Sequence, residues 1–121
     1  MAEKRPFIPM NEALEVTLPH CVLHWHCHAE NTPTRRLAIG SATFPKGGGH
    51  GRHRHPNAEE VILIVSGKAL QGLRNEEFEM SSGDAIHIPQ NEVHYTRNIG
   101  DDELVILVAF SSADPETIDL E

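Results

Sequence analysis

Three histidines and two glutamates crowd the stretch from Gly47 to Gly67, GGGHGRHRHPNAEEVILIVSG, where a turn feeds directly into a run of β-branched residues. In an extended segment, residues two apart point to the same face, so His53 and His55 present both imidazoles together. Pro56-Asn57-Ala58 then turns the chain, and the strand that follows can return Glu59 or Glu60 to the same place, making a carboxylate the third candidate ligand. Imidazole with carboxylate, and no nearby thiolate, suits iron, manganese, nickel, copper or zinc; calcium and magnesium prefer all-oxygen shells. The bland alternative for this stretch alone is a solvated, histidine-rich loop. A second stretch argues against it. Gly83 to Asn98, GDAIHIPQNEVHYTRN, holds a turn, a short apolar strand, a Pro-centred loop and then His94 at the head of a further alternating segment, which offers a fourth ligand.

The two stretches together resemble the paired sequence motifs of the cupin superfamily. The first motif is filled at every fixed position: Gly47, five residues, His53, one residue, His55, four residues, Glu60, six residues and Gly67. The second is filled by Gly83, five residues, Pro89, Asn91 in place of the usual glycine, two residues, His94, three residues and Asn98. Asn tolerates the left-handed backbone that glycine would supply, so the single departure is a mild one. The resemblance implies His53, His55, Glu60 and His94 as ligands of one divalent transition metal ion, whether iron, manganese, nickel or zinc. It also implies a double-stranded β-helix, a small jelly-roll barrel whose interior holds side chains and one small ligand.

On that reading the chain is a metal-dependent enzyme for a small polar substrate that chelates the ion through two oxygens, with a dioxygenase-type oxidoreductase as the first expectation. The alternative is isomerase, lyase or cyclase chemistry on a sugar acid or oxo acid, in which the ion polarises a carbonyl while a side chain moves a proton. Glu60, Tyr95 or a histidine of the Trp25 region are the candidate proton carriers, with Glu60 and Tyr95 taken as the catalytic pair. A second alternative is a non-catalytic cupin that binds a small molecule; a complete ligand set argues against it.

The elements that must position these residues are strands. Some eight to ten short strand-like runs are separated by Gly, Pro and Asn turns, and no helical period is sustained, which gives an all-β sandwich or barrel. Arg36 to Phe44 alternates, with Leu37, Ile39 and Ser41 on one face. Glu60 to Ser66 is a strand by its Val and Ile content, with Ile62 and Ile64 sharing the inner face of Glu60. Arg52 and Arg54 point away from the ligand histidines. Ala69 to Arg74 and Phe78 to Ser81 flank a loop at Asn75-Glu76-Glu77, and 15 residues lie between Gly67 and Gly83. Leu104 to Phe110 is apolar on both parities and reads as a buried strand.

Leu14 to Ala29 is odder, because His20, His24, His26 and His28 all fall at even positions. As a strand it places at least the last three on one face, with Trp25 and Cys27 on the other. That face is a second possible ligand set, but Glu30 is the one carboxylate within the run from His24 onward, and we read it as an outer sheet surface or an interface.

A length of 121 residues bounds the chain to a single cupin domain, with an N-terminal arm over residues 1–12, a barrel core over 36–111, and a tail over 112–121 that is a short helix or frayed. With 39% hydrophobic and 23% charged residues the composition is that of a globular chain with a modest core, so we expect a homodimer formed through a strand face. A formal net charge of -8 argues against nucleic acid and anionic membranes as partners. No apolar run suits a signal peptide or a membrane span, and Cys21 and Cys27 make no zinc spacing, so we expect a cytoplasmic protein with reduced thiols.

Overall fold

A computed structural model describes residues 4–121. Eleven strands run in chain order: β1 (Leu14–Leu18), β2 (Cys21–Cys27), β3 (Ala38–Phe44), β4 (Gly49–Arg54), β5 (Glu60–Ser66), β6 (Lys68–Leu73), β7 (Glu76–Ser81), β8 (Ala85–Ile88), β9 (His94–Asn98), β10 (Leu104–Phe110) and β11 (Ile118–Asp119). Among the described residues the only helical piece is a 3-10 turn at Met10–Glu12. Among those residues no helix is long and apolar enough to cross a membrane. Two sheets form, one in the order β1-β2-β3-β10-β5-β8 and the other β11-β4-β9-β6-β7, with every pairing antiparallel. Strands distant in sequence lie side by side, β10 between β3 and β5, and β9 between β4 and β6. This is the jelly-roll arrangement of the cupin barrel.

The two sheets contribute unlike inner faces. Period-2 alternation sends Leu104, Ile106, Val108 and Phe110 of β10 inward beside Ile62 and Ile64 of β5 and Phe44 of β3, all buried. Across from this apolar wall, the smaller sheet buries Gln71, His53, His94, Thr96 and Asn98. Gln71, Thr96 and Asn98 are satisfied locally, as burial demands. The Thr96 hydroxyl donates to Gln71 Oε1 at 2.5 Å, and Asn98 Nδ2 donates to the carbonyls of Phe44, Pro45 and Asp102 at 3.2, 3.1 and 2.8 Å, tying both sheets and a turn together. The final Asn of the second motif is therefore a structural staple.

Several expectations are corrected. Leu14 to Ala29 is a hairpin turned at Pro19 and His20, with Leu18 paired to Cys21, and it extends the larger sheet beyond residues 36–111. The β6–β7 hairpin closes on Arg74 and Asn75 alone, because Arg74 adopts a φ of 54° and Leu73 pairs directly with Glu76. The tail is neither helical nor frayed: β11 pairs with β4, and residues 111–117 cross one end of the barrel. Of the expected N-terminal arm, residues 1–3 lie outside the described residues; Arg5 donates its backbone N–H to the Asn31 carbonyl at 3.3 Å and its guanidinium to Glu12 at 2.8 Å.

Asn91 does take the left-handed conformation, at φ 66°, where the motif calls for glycine. Gly67 sits at φ 95°, and a Cβ there would stand 2.7 Å from the Glu103 carbonyl oxygen. Gly67→Ala is accordingly expected to destabilise the fold by about 1–3 kcal/mol, read as a lowered denaturation midpoint with unchanged m-value. A midpoint equal to that of the wild type would contradict this.

Candidate metal centre

Strand register delivers the four side chains to one end of the barrel. β4 carries His53 inward opposite His94, the first residue of β9. The chain leaves β4 at Arg54, so His55 sits on the turn formed with Pro56 and Asn57, and β5 begins with Glu60, paired to Phe110 on one side and Ile88 on the other. All four are buried, with exposures of 4% for His53, 5% for His55, 4% for Glu60 and 1% for His94.

Each imidazole is held by a backbone carbonyl. His53 Nδ1 donates to the Gly51 carbonyl at 2.6 Å, His55 Nδ1 to that of Glu116 at 2.9 Å, and His94 Nδ1 to that of Glu92 at 2.9 Å. A carbonyl can only accept, so each Nδ1 carries a proton and each Nε2 is the ring atom free to bind something else. Ring centroids lie 4.1 Å apart for His53 and His94 and 5.1 Å apart for the other two pairs. Among the described residues these three histidines form the one cluster able to hold a metal ion, their ligand atoms all within 4.8 Å of one another. Glu60 Oε1 stands 3.2 Å from His55 Nε2 and 2.9 Å from His94 Nε2, yet neither Glu60 Oε1 nor His94 Nε2 makes a directed hydrogen bond. Lone pairs and a carboxylate thus face one another in a buried space, an arrangement that is satisfied by a cation. The donor set fits a divalent transition metal ion.

The electrostatics say the same. Burial acts to raise the Glu60 pKa, but contacts with His55 and His94 outweigh it and hold the carboxyl at about 2. Burial, then the neighbouring His94 and His50, lower His53 to about 3, against a small opposing effect of the Gly51 carbonyl. His55 is also disfavoured as a cation by burial, but Glu60 and the Glu116 carbonyl override this and raise its pKa. The Glu60 carboxylate thus favours positive charge beside it.

The expected residues fall as follows. His53, His55, Glu60 and His94 converge. Glu59, the other carboxylate left open by sequence, points outward and bonds His87 at 2.8 Å. Tyr95 does not reach the site, which corrects its expected catalytic role: its neighbour His94 points inward, so alternation turns Tyr95 outward, where its hydroxyl donates to Glu77. His24 bonds Glu15 at 3.1 Å and His26 bonds Ser41 at 2.7 Å on the outer face. His28 leaves that face, because a register shift between Trp25 and Cys27 ends the alternation, and it is buried against Trp25 at 4.8 Å between ring centroids. Trp25 itself points into the barrel.

A cavity of about 110 Å³ lies over the cluster, walled by Trp25, Phe44, Ile62, Ile106, Val108 and Phe110 and rimmed by His50, Pro115 and Thr117. His50 stacks on His53, with centroids 3.6 Å apart and planes 5° from parallel, and bonds Asp119 at 2.8 Å. The tail carbonyl that holds His55 is itself braced: Asn57 accepts from the Glu116 N–H at 2.8 Å and donates to the Asp114 carbonyl at 3.1 Å. Sequence spacing gives no sign of this contribution, since it comes from main-chain atoms.

The chain belongs to the cupin family: residues 40–110 match the family described as "Cupin domain". It is 38% identical over 72 residues to an uncharacterized protein of Methanocaldococcus jannaschii, covering 60% of this chain and 58% of the relative. It is 27% identical over 92 residues to oxalate oxidase 1 of Hordeum vulgare, covering 69% and 46%. The fold superimposes on a Lactobacillus farciminis oxalate decarboxylase, solved as a formate complex, with a TM-score of 0.85 at 26% identity over 92% of this chain and 34% of that one. The chain therefore spans only about half the length of the curated relatives it matches.

A pH dependence follows from the shifts. In the unfolded chain His53 takes up a proton below about pH 6.5, whereas folded it resists until about 3. The unfolded state binds more protons across that window, so stability falls as pH drops through it, by on the order of a few kcal/mol. Glu60 acts in the same direction lower down: its contribution is present above about 4.5 and is lost as pH falls toward 2. The raised pKa of His55 opposes both, stabilising the fold at low pH. Thermal melts of metal-free protein should show the melting temperature falling from about pH 6 to about pH 4, with a shallower slope in His53→Gln. Equal slopes would contradict the His53 account.

Proposed function

We propose that His53, His55, Glu60 and His94 hold one divalent transition metal ion, iron, manganese, nickel or zinc, and that the chain is a metal-dependent enzyme acting on a small oxygen-chelating substrate as a dioxygenase-type oxidoreductase. The observation that carries this reading is the convergence of three Nε2 atoms, each oriented by a carbonyl on Nδ1, with a buried carboxylate that has no directed hydrogen bond at Oε1. When bound, the ion supplies Lewis acidity and, for iron or manganese, redox chemistry. The chain's own residues orient the ligands, exclude water with an apolar wall, and leave space over the cluster for one small molecule.

The choice of reaction class rests on what else lines that space. Isomerase, lyase or cyclase chemistry needs a proton carrier besides the ligands, and Tyr95 is on the far side of the sheet. His50, paired with Asp119, is the one imidazole at the cavity outside the cluster, so it carries the alternative reading. The oxalate oxidase and oxalate decarboxylase relatives support small-molecule chemistry in this fold; a fold alone does not assign a reaction.

Elemental analysis of protein purified without chelators is expected to find about one metal ion per chain. His94→Ala should lower metal affinity by more than the roughly 10–100-fold loss seen for an outer partner. Unchanged metal content in that variant overturns the site. If the metal is iron, oxygen uptake with diketones and catechols tests the reaction; proton exchange into oxo acids that is lost in His50→Gln favours the alternative.

A further inference from the structure

Among the described residues, no lysine or arginine lines the cavity over the cluster. Its wall is Phe44, Ile62, Ile106, Val108 and Phe110 with Trp25, and outside the cluster its polar side chains are His50, Cys21, Thr96 and Thr117. A vestibule of about 340 Å³ leads to it between the β1–β2 hairpin and β4, sharing Leu18, Cys21 and His50 with the cavity. No lysine or arginine lines that passage either; its charged members are Asp119, bonded to His50, and Glu121, paired with Arg52. The chain as a whole carries a formal charge of -8.

These charges limit what can enter. On the metal-site reading above, a divalent ion held by three imidazoles protonated on Nδ1, hence neutral, and by the Glu60 carboxylate retains one net positive charge. A singly charged chelator neutralises it. A dianion leaves an uncompensated negative charge enclosed by apolar side chains, with no lysine or arginine among the described lining residues to meet it, and is repelled on the way in. The apolar wall, in turn, rewards a ligand whose remaining atoms are hydrocarbon.

We propose that the substrate is a monoanionic bidentate chelator with an apolar body, the class of an enolised 1,3-diketone or a singly ionised catechol, and that the site discriminates against oxalate and other small dicarboxylate dianions. This rests on the metal-site reading and departs from the substrate that the relatives' names carry.

The test uses the metal-loaded chain, with metal content measured first. Tropolone, a monoanionic chelator with an apolar ring, and oxalate are titrated separately by calorimetry near neutral pH. The preference for tropolone over oxalate is expected to exceed that of the free metal ion by at least about tenfold. A preference equal to or below that of the free ion overturns the proposal. Leu18→Arg places a guanidinium at a position that lines both cavity and vestibule and is already 36% exposed, so the fold should tolerate it. This variant should bind oxalate about tenfold more tightly while tropolone affinity stays within about threefold; no gain for oxalate contradicts the charge argument. Failure of the underlying reading is distinguishable: the chain then takes up no metal before any chelator is added, and both proposals fall together.

Discussion

Everything in this structure turns on a concentration of lone pairs held away from bulk solvent. Three imidazoles and a carboxylate are cheap to keep in solvent and costly to bury unpaired. Here they are buried to within a few per cent and oriented by carbonyls that leave each Nε2 free. Such an arrangement is tolerable only if positive charge sits among them. The low pKa of Glu60 and the raised pKa of His55 are the same demand seen from the protein side: the buried carboxylate favours positive charge beside it.

The fold meets this demand by dividing labour between its sheets. The larger sheet supplies an aliphatic and aromatic inner wall, which lowers the local dielectric and strengthens polar interactions inside it. The smaller sheet supplies the polar inner positions, each with an internal partner, so that polarity is concentrated without loose ends except at the cluster itself. The tail then closes one end, lending a main-chain oxygen to His55 and shaping the entrance with Thr117 and Asp119. Ligand geometry, local dielectric and access are thus set by three different parts of the chain.

Much of this was legible before any coordinates, and the reasons are physical. Spacing of two along an extended chain is enough to pair His53 with His55, and alternation from Glu60 places Ile62 and Ile64 on the inner wall. The left-handed backbone at Asn91 follows from what Asn tolerates. Tyr95 shows the same rule neglected, since a residue adjacent to an inward His94 in a strand must face out. Other features carry no side-chain signature. The bulge that sends His28 inward, the turn between Pro19 and His20, and the Glu116 main chain, whose N–H is held by Asn57 and whose carbonyl holds His55, all depend on register and on main-chain contacts between segments far apart in sequence.

The most direct test of the account is anomalous diffraction at the absorption edge of the bound metal, from crystals of the chain loaded with one equivalent of manganese or iron. The account predicts a single anomalous peak bounded by Nε2 of His53, His55 and His94 and by the Glu60 carboxylate. A peak elsewhere, at the His24 and His26 face or beside His50 and Asp119, or no peak at the cluster in a metal-containing crystal, would contradict it.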